Sequence, residues 1–243
     1  MYEALILLTD LYQSAKKNIK NDFVDIKKAK ELKGYLHSVP LWIFNCVWQM
    51  VFLYEWSAHV IKYFDRLGII EIFFPHVYYL KSVPQNKRDV FDAFDHTLKV
   101  LNEVDKLFPK DRDMKIAALY HDTGKYQTWI INKTFHKHEI ESVECFNVMY
   151  KKLQLEPNYH IHIVDNADRV RNVIMNHMHP LQYQRNPNWT DSAVRRFDER
   201  CNGFTEDVIN FAICDKLAHH NCYIDELHEL MDRVLKLRRE DEV

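Results

Sequence analysis

Apolar residues recur along most of this chain at three- and four-residue intervals, and no strand-length alternation of apolar and polar residues persists. The spacing predicts charged amphipathic helices over 1–20 and 24–36. An apolar helix is expected over about 41–56, started by Pro40, and "SAHVIKYFDRLGII" reads as a further helix ending near Gly68. The polar stretch 82–89, with Pro84, reads as a linker or ordered loop. Beyond it, helices are predicted at roughly 90–107, 112–122, 137–153, 165–178, 190–200, 205–220 and 223–239. The expected class is all-α, with a helical neck-like region over 1–80 and a second unit over 81–243.

Composition narrows this further. The chain has 243 residues, four glycines and a formal charge of −2. So few glycines argue against sandwiches and barrels, and no Gly-rich phosphate loop can be written. The near-zero charge supplies no global field for nucleic acid, so any such binding needs a local patch. Five cysteines without CxxC spacing read as reduced thiols. The apolar run "VPLWIFNCVWQMVFLYEW" is interrupted by Asn45 and Gln49 and falls short of a membrane span. It reads as domain core or a dimer face. With no signal-peptide pattern at residues 1–17, a cytoplasmic protein with no membrane partner is expected.

One segment stands out. In "AALYHDTGKYQT", a small apolar helical run ends in His121 and Asp122, and Gly124 is expected to break the helix before Lys125. Other polar side chains fall on core-facing stripes. His96 precedes Val100 and Val104, and His177 follows Val173 and Ile174. Asp215 follows Val208 and Phe211, and His138 opens the helix bearing Val143, Phe146 and Met149. A single inward histidine is ordinarily a core residue with a hydrogen-bond partner. Two inward aspartates among four inward histidines would need several independent coincidences, because a buried carboxylate is costly unless paired or bound to a cation. The set points to a metal site. His37, His59, His76, His160, His162 and His228 read as surface or loop residues. His136, His179, His219 and His220 lie near the proposed ligands in sequence, and each more simply reads as incidental.

The ordered set His96, His121-Asp122, Asp215, with "LYHDTGK" as its centre, resembles the HD superfamily of metal-dependent phosphohydrolases. His138 and His177 resemble the extended pattern of members that hold two metals. "LGIIEIFFPHVYYLKSVPQNKRDVFDAFDHTLKVL", "FHKHEIESVE", "VIMNHMHP" and "DSAVRRFDER" are similar to the HD domain of bacterial CCA-adding tRNA nucleotidyltransferases, over about residues 57–220. Those enzymes carry a catalytic head with a Gly-Ser segment and paired carboxylates. Nothing before residue 57 offers either, so nucleotide addition is expected to be absent.

The resemblance implies a metal-dependent phosphohydrolase of nucleotide or RNA-end phosphate esters, of phosphatase, 2′-nucleotidase or 2′,3′-cyclic phosphodiesterase type. Imidazole and carboxylate ligands suit Mn²⁺, Fe²⁺, Ni²⁺, Co²⁺ or Mg²⁺, one or two ions, better than structural zinc. His96, His121, Asp122 and Asp215 are the expected ligands. His138 and His177 either hold a second ion, bridged by Asp122, or donate hydrogen bonds to phosphate. Lys125 is either a phosphate contact, the role the resemblance favours, or a solvated helix-end lysine. Arg195 and Arg196 either bind substrate phosphate or pair along their helix with Asp191, Asp198 or Glu199. The rival readings are a dNTP or signalling-nucleotide phosphohydrolase and a non-catalytic tRNA- or RNA-binding remnant.

Overall fold

The structure is a computed structural model that describes residues 10, 13, 40–53, 56–85, 92–155, 163–219 and 223–241. The helices expected over 1–20 and 24–36 lie outside these, apart from residues 10 and 13, as do His37, His160, His162 and His220. Among the described residues the only β-pairing is an isolated bridge between Pro84 and Asp92; the rest is helix and turn. The all-α expectation holds.

The chain enters through α1 (Leu41–Phe52), α2 (Ser57–Arg66), and the short helices α3 (Ile70–Phe73) and α4 (Pro75–Tyr78), followed by a 3₁₀ turn, Tyr79–Ser82. Then come α5 (Ala93–Leu107), α6 (Arg112–Tyr120), α7 (Lys125–Asn132) and α8 (His138–Leu153). α9 (Ala167–Asn176), α10 (Met178–Arg185), α11 (Asp191–Arg200), α12 (Thr205–Leu217) and α13 (Asp225–Asp241) complete it. Four of these helices start where a side chain satisfies an otherwise unpaired backbone N–H. Asp92 caps α5, Asp111 caps α6, Asn166 caps α9 and Thr190 caps α11.

The structure corrects several boundaries. The helix expected at 112–122 stops at Tyr120, and Lys125–Asn132 forms a separate helix that periodicity missed. The helix expected at 165–178 divides at His177. Gly124 does not break a helix by its backbone freedom: its φ of −67° and ψ of −15° are ordinary right-handed values. What Gly124 supplies is room. A Cβ there would lie 2.1 Å from the His138 carbonyl oxygen and 2.6 Å from Ser142 N, so α8 presses directly on its backbone.

The apolar run 41–52 is core. Ile43, Phe44, Val47, Trp48, Val51 and Phe52 are all buried. The Trp48 ring meets Phe52, Phe74 and Tyr120, and its indole N–H donates to the Phe73 carbonyl at 3.2 Å. Tyr120 immediately precedes His121, so α1 seats the helix end that presents the His-Asp pair. Two charged clamps hold the frame. Arg169 on α9 forks onto Asp111 before α6 and Asp207 on α12, with contacts of 2.6–2.9 Å. Lys115 is wholly buried, 3.2 Å from Asp105, and donates to the Pro109 carbonyl at 2.6 Å.

Candidate metal centre

Six side chains from five parts of the chain converge in the interior: His96 on α5, His121 and Asp122 after α6, His138 at the start of α8, His177 between α9 and α10, and Asp215 on α12. None is more than 5% exposed. Helix ends aim three of the imidazoles. His121 Nδ1 lies 2.8 Å from the Ala118 carbonyl, His138 Nδ1 2.8 Å from Phe135 and His177 Nδ1 2.7 Å from Ile174. A carbonyl only accepts, so Nδ1 carries a proton in each, and Nε2 is the nitrogen that faces inward, with those of His138 and His177 3.3 Å apart.

Asp122 is the hub. Its Oδ2 lies 3.2 Å from His121 Nε2, 3.7 Å from His96 Nε2 and 2.7 Å from Lys125 Nζ. Its Oδ1 lies 3.1 Å from His138 Nε2 and 3.9 Å from His177 Nε2. Asp215 Oδ1 is 3.0 Å from His96 Nε2. Three donor sets each gather within 4.8 Å: His96–His121–Asp122, Asp122–His138–His177 and His96–Asp215–His219. The first two share Asp122, the position a bridging carboxylate requires.

These residues fit a divalent cation. His121 Nε2 and Asp215 Oδ1 are buried with no hydrogen-bond partner, because their short contacts lack hydrogen-bond angles. Buried polar atoms left unpaired are costly, and a shared cation satisfies both. The charges agree. Burial alone would raise the Asp122 carboxyl, yet His121 and Lys125 hold it well below the usual range. Asp215 is likewise held low, against burial, by His96 and His121. Burial, with His138 and His121 alongside, pushes His177 down to about 3, so it stays neutral and able to ligate. Burial would lower His121, but Asp122 raises it, so it favours a proton that a cation would replace.

Lys125 belongs to this centre and is not a solvated helix end. It is buried, bonded to Asp122, and donates to Gln85 Oε1 at 3.0 Å. Gln85 sits in a loop, where no pattern marked it. The two arginines separate. Arg195 forks onto Asp241 on α13, so the pairing reading holds for it, with a partner other than the three expected. Arg196 bonds Ser192 one turn back and has no carboxylate partner among the described residues. Two histidines were misread. His219 packs its ring 4.8 Å from that of His96 and places Nε2 3.9 Å from Asp215 Oδ1. Its position four residues after Asp215 was the available signal. His76, expected on the surface, is half-buried against Tyr120. His228 is exposed, as read, and His136 is exposed as well.

A groove of about 630 Å³ opens beside His219, lined by charges of both signs, Lys62 and Lys99 with Asp95 and Glu103. That volume falls within the roughly 300–1,000 Å³ of small-molecule sites.

The HD domain family model matches residues 93–219, more than half of the chain, and the matched span contains all six converging residues. The chain belongs to the HD-domain family, whose members are typically metal-dependent hydrolases. The described residues contain no helix long and apolar enough to cross a membrane.

Proposed function

We propose that this chain is a metal-dependent phosphohydrolase of nucleotide or RNA-end phosphate esters. The observation that carries the reading is the carboxylate of Asp122, shared between two ligand sets, with His121 Nε2 of the first set and the neighbouring Asp215 Oδ1 buried without a hydrogen-bond partner. His96, His121, Asp122 and Asp215 would hold one divalent ion, and Asp122, His138 and His177 would hold a second. When bound, such ions activate water and polarise a phosphate ester.

The chain's own residues do the rest. The backbone carbonyls of Ala118, Phe135 and Ile174 fix the imidazole tautomers, so no reorganisation is needed when charge develops. Burial keeps bulk water away and strengthens every charge interaction. Lys125 Nζ, already beside Asp122, is placed to hydrogen-bond a phosphate oxygen and offset its charge. The groove beside His219 is large enough for a nucleotide. The narrower likeness to the HD domain of CCA-adding enzymes supports the nucleotide and RNA-end classes over other phosphate esters.

The test is a hydrolysis panel with Mn²⁺, Ni²⁺, Co²⁺ or Mg²⁺ added. It covers 2′-, 3′- and 5′-mononucleotides, 2′,3′-cyclic nucleotides, dNTPs and cyclic-phosphate-ended RNA, with Asp122→Ala alongside. Chelator-sensitive phosphate release that disappears in Asp122→Ala is expected, with about one or two ions per chain in the wild type. No turnover on any substrate, together with salt-dependent tRNA binding unaffected by Asp122→Ala, would establish the RNA-binding remnant instead.

A further inference from the structure

Most arginines described in this protein are neutralised. Arg112, Arg169, Arg171, Arg195, Arg233 and Arg238 each hold a carboxylate. Arg196 and Arg200, like Arg185 and Arg239, do not: among the described residues none has an acidic partner at ion-pair distance, and only the first two share a cavity. Those two sit four residues apart on α11, a spacing at which like charges repel. Both line one cavity of about 210 Å³, with His179, Trp189 and Phe197. No carboxylate lines that cavity.

Its walls are fixed. His179 Nε2 lies 3.3 Å from Arg200 Nη1, and its ring stacks on Phe197. The Trp189 ring is held at 90° to Tyr183 and 69° to Phe197, and its carbonyl accepts from Arg233. Two uncompensated guanidinium groups beside an aromatic wall suit one ligand chemistry: phosphate oxygens met by the forks, and a flat ring laid on the indole. The volume lies below that of sites that enclose a whole small molecule, so the open cavity seats a nucleotide's phosphate and one face of its ring and leaves the remainder in solvent.

We propose that the cavity between α10 and α11 is a second phosphate-binding site, separate from the metal centre, that holds one nucleotide unit through Arg196, Arg200 and Trp189. The unit comes either from a free mononucleotide or from a single-stranded nucleic acid chain. His179 lies two residues beyond His177 on the α10 side, so the cavity and the centre share the first turn of that helix. The inference does not depend on the centre being hydrolytic.

Equilibrium binding in chelator tests it with no contribution from turnover. The probes are 5′-AMP and a fluorescently labelled single-stranded RNA tetranucleotide. The proteins are the wild type, Arg196→Ala, Arg200→Ala and, as a charge control, Arg239→Ala. Both arginines of the cavity are exposed on α11, and unchanged circular dichroism will verify the fold. The expected result is a loss of about tenfold or more in Arg196→Ala and Arg200→Ala, with Arg239→Ala unchanged. Loss for both probes identifies a free nucleotide as sufficient; loss for the tetranucleotide alone identifies a unit of a chain. Unchanged binding of both probes, or an equal loss in Arg239→Ala, overturns the proposal. The hydrolysis panel reads separately on the metal centre.

Discussion

Gly124→Ala gives the sharpest check on how the centre is assembled, because local and tertiary arguments predict opposite signs. Gly124 has helical dihedrals, so alanine there would ordinarily stabilise the protein by about 0.4–1 kcal/mol through the unfolded chain. The structure predicts the reverse. The new methyl would lie 2.1 Å from the His138 carbonyl oxygen and 2.6 Å from both Glu141 Cβ and Ser142 N. Two of those three atoms are backbone and cannot rotate away. Forcing α8 outward costs about 1–3 kcal/mol as overpacking. It also stretches the 2.8 Å hydrogen bond from Gly124 N to Ser142 Oγ, worth about 0.5–1.5 kcal/mol. After the favourable unfolded-chain effect, the net loss is about 0.5–4 kcal/mol. For a chain of this size each kcal/mol lowers the melting temperature by about 2–4 °C.

The same displacement carries His138 away from Asp122, so metal binding should weaken together with stability. Urea and thermal unfolding, with calorimetric titration of Mn²⁺, measure both. Ser142→Ala separates the contributions, since it removes the hydrogen bond and leaves the steric contact intact. A Gly124→Ala protein as stable as the wild type, with the same metal stoichiometry, would refute the close approach of α8.

Other substitutions test separate parts of the molecule. Lys125→Ala removes a cation 2.7 Å from Asp122, so it should bind metal at least as tightly as the wild type while turnover falls; weaker metal binding would assign Lys125 to building the centre. Lys115→Ala leaves Asp105 buried without its cation and should cost about 3–5 kcal/mol by denaturant unfolding, whereas Lys115→Met with Asp105→Asn should recover much of that loss. Arg169→Ala severs the links from α9 to Asp111 and Asp207 and should cost about 1.5–3 kcal/mol, read as a lower urea midpoint with little change in intrinsic metal affinity.

Much of the site could be read from periodicity because buried polar groups are rare and costly. His96, Asp215 and His177 declared themselves by lying on apolar stripes, and all three are buried. His121 and Asp122 lay at the end of such a stripe. Features set by contact between distant segments left weaker marks. Nothing near Gly124 in sequence reveals that α8 passes over it. Nothing local reveals that Arg195 finds Asp241, forty-six residues away. The short helices from Ile70 to Tyr78 span about one turn each, too little for a period to register. His219 stood one turn after Asp215 on the helix expected over 205–220, yet no apolar stripe singled it out, and the helix itself ends at Leu217.

The candidate ligands come from segments spread between residues 96 and 215. No contiguous fragment shorter than that interval contains the whole set. An ion bound there ties together chain segments that diffuse independently when unfolded, and closing such long loops is where a cross-link has most effect on an unfolded ensemble. A metal held there would act as a removable staple as well as a chemical group. Ion supply should set how long the folded chain survives proteolysis, since a ligand bound only by the native state shifts the folding equilibrium by mass action.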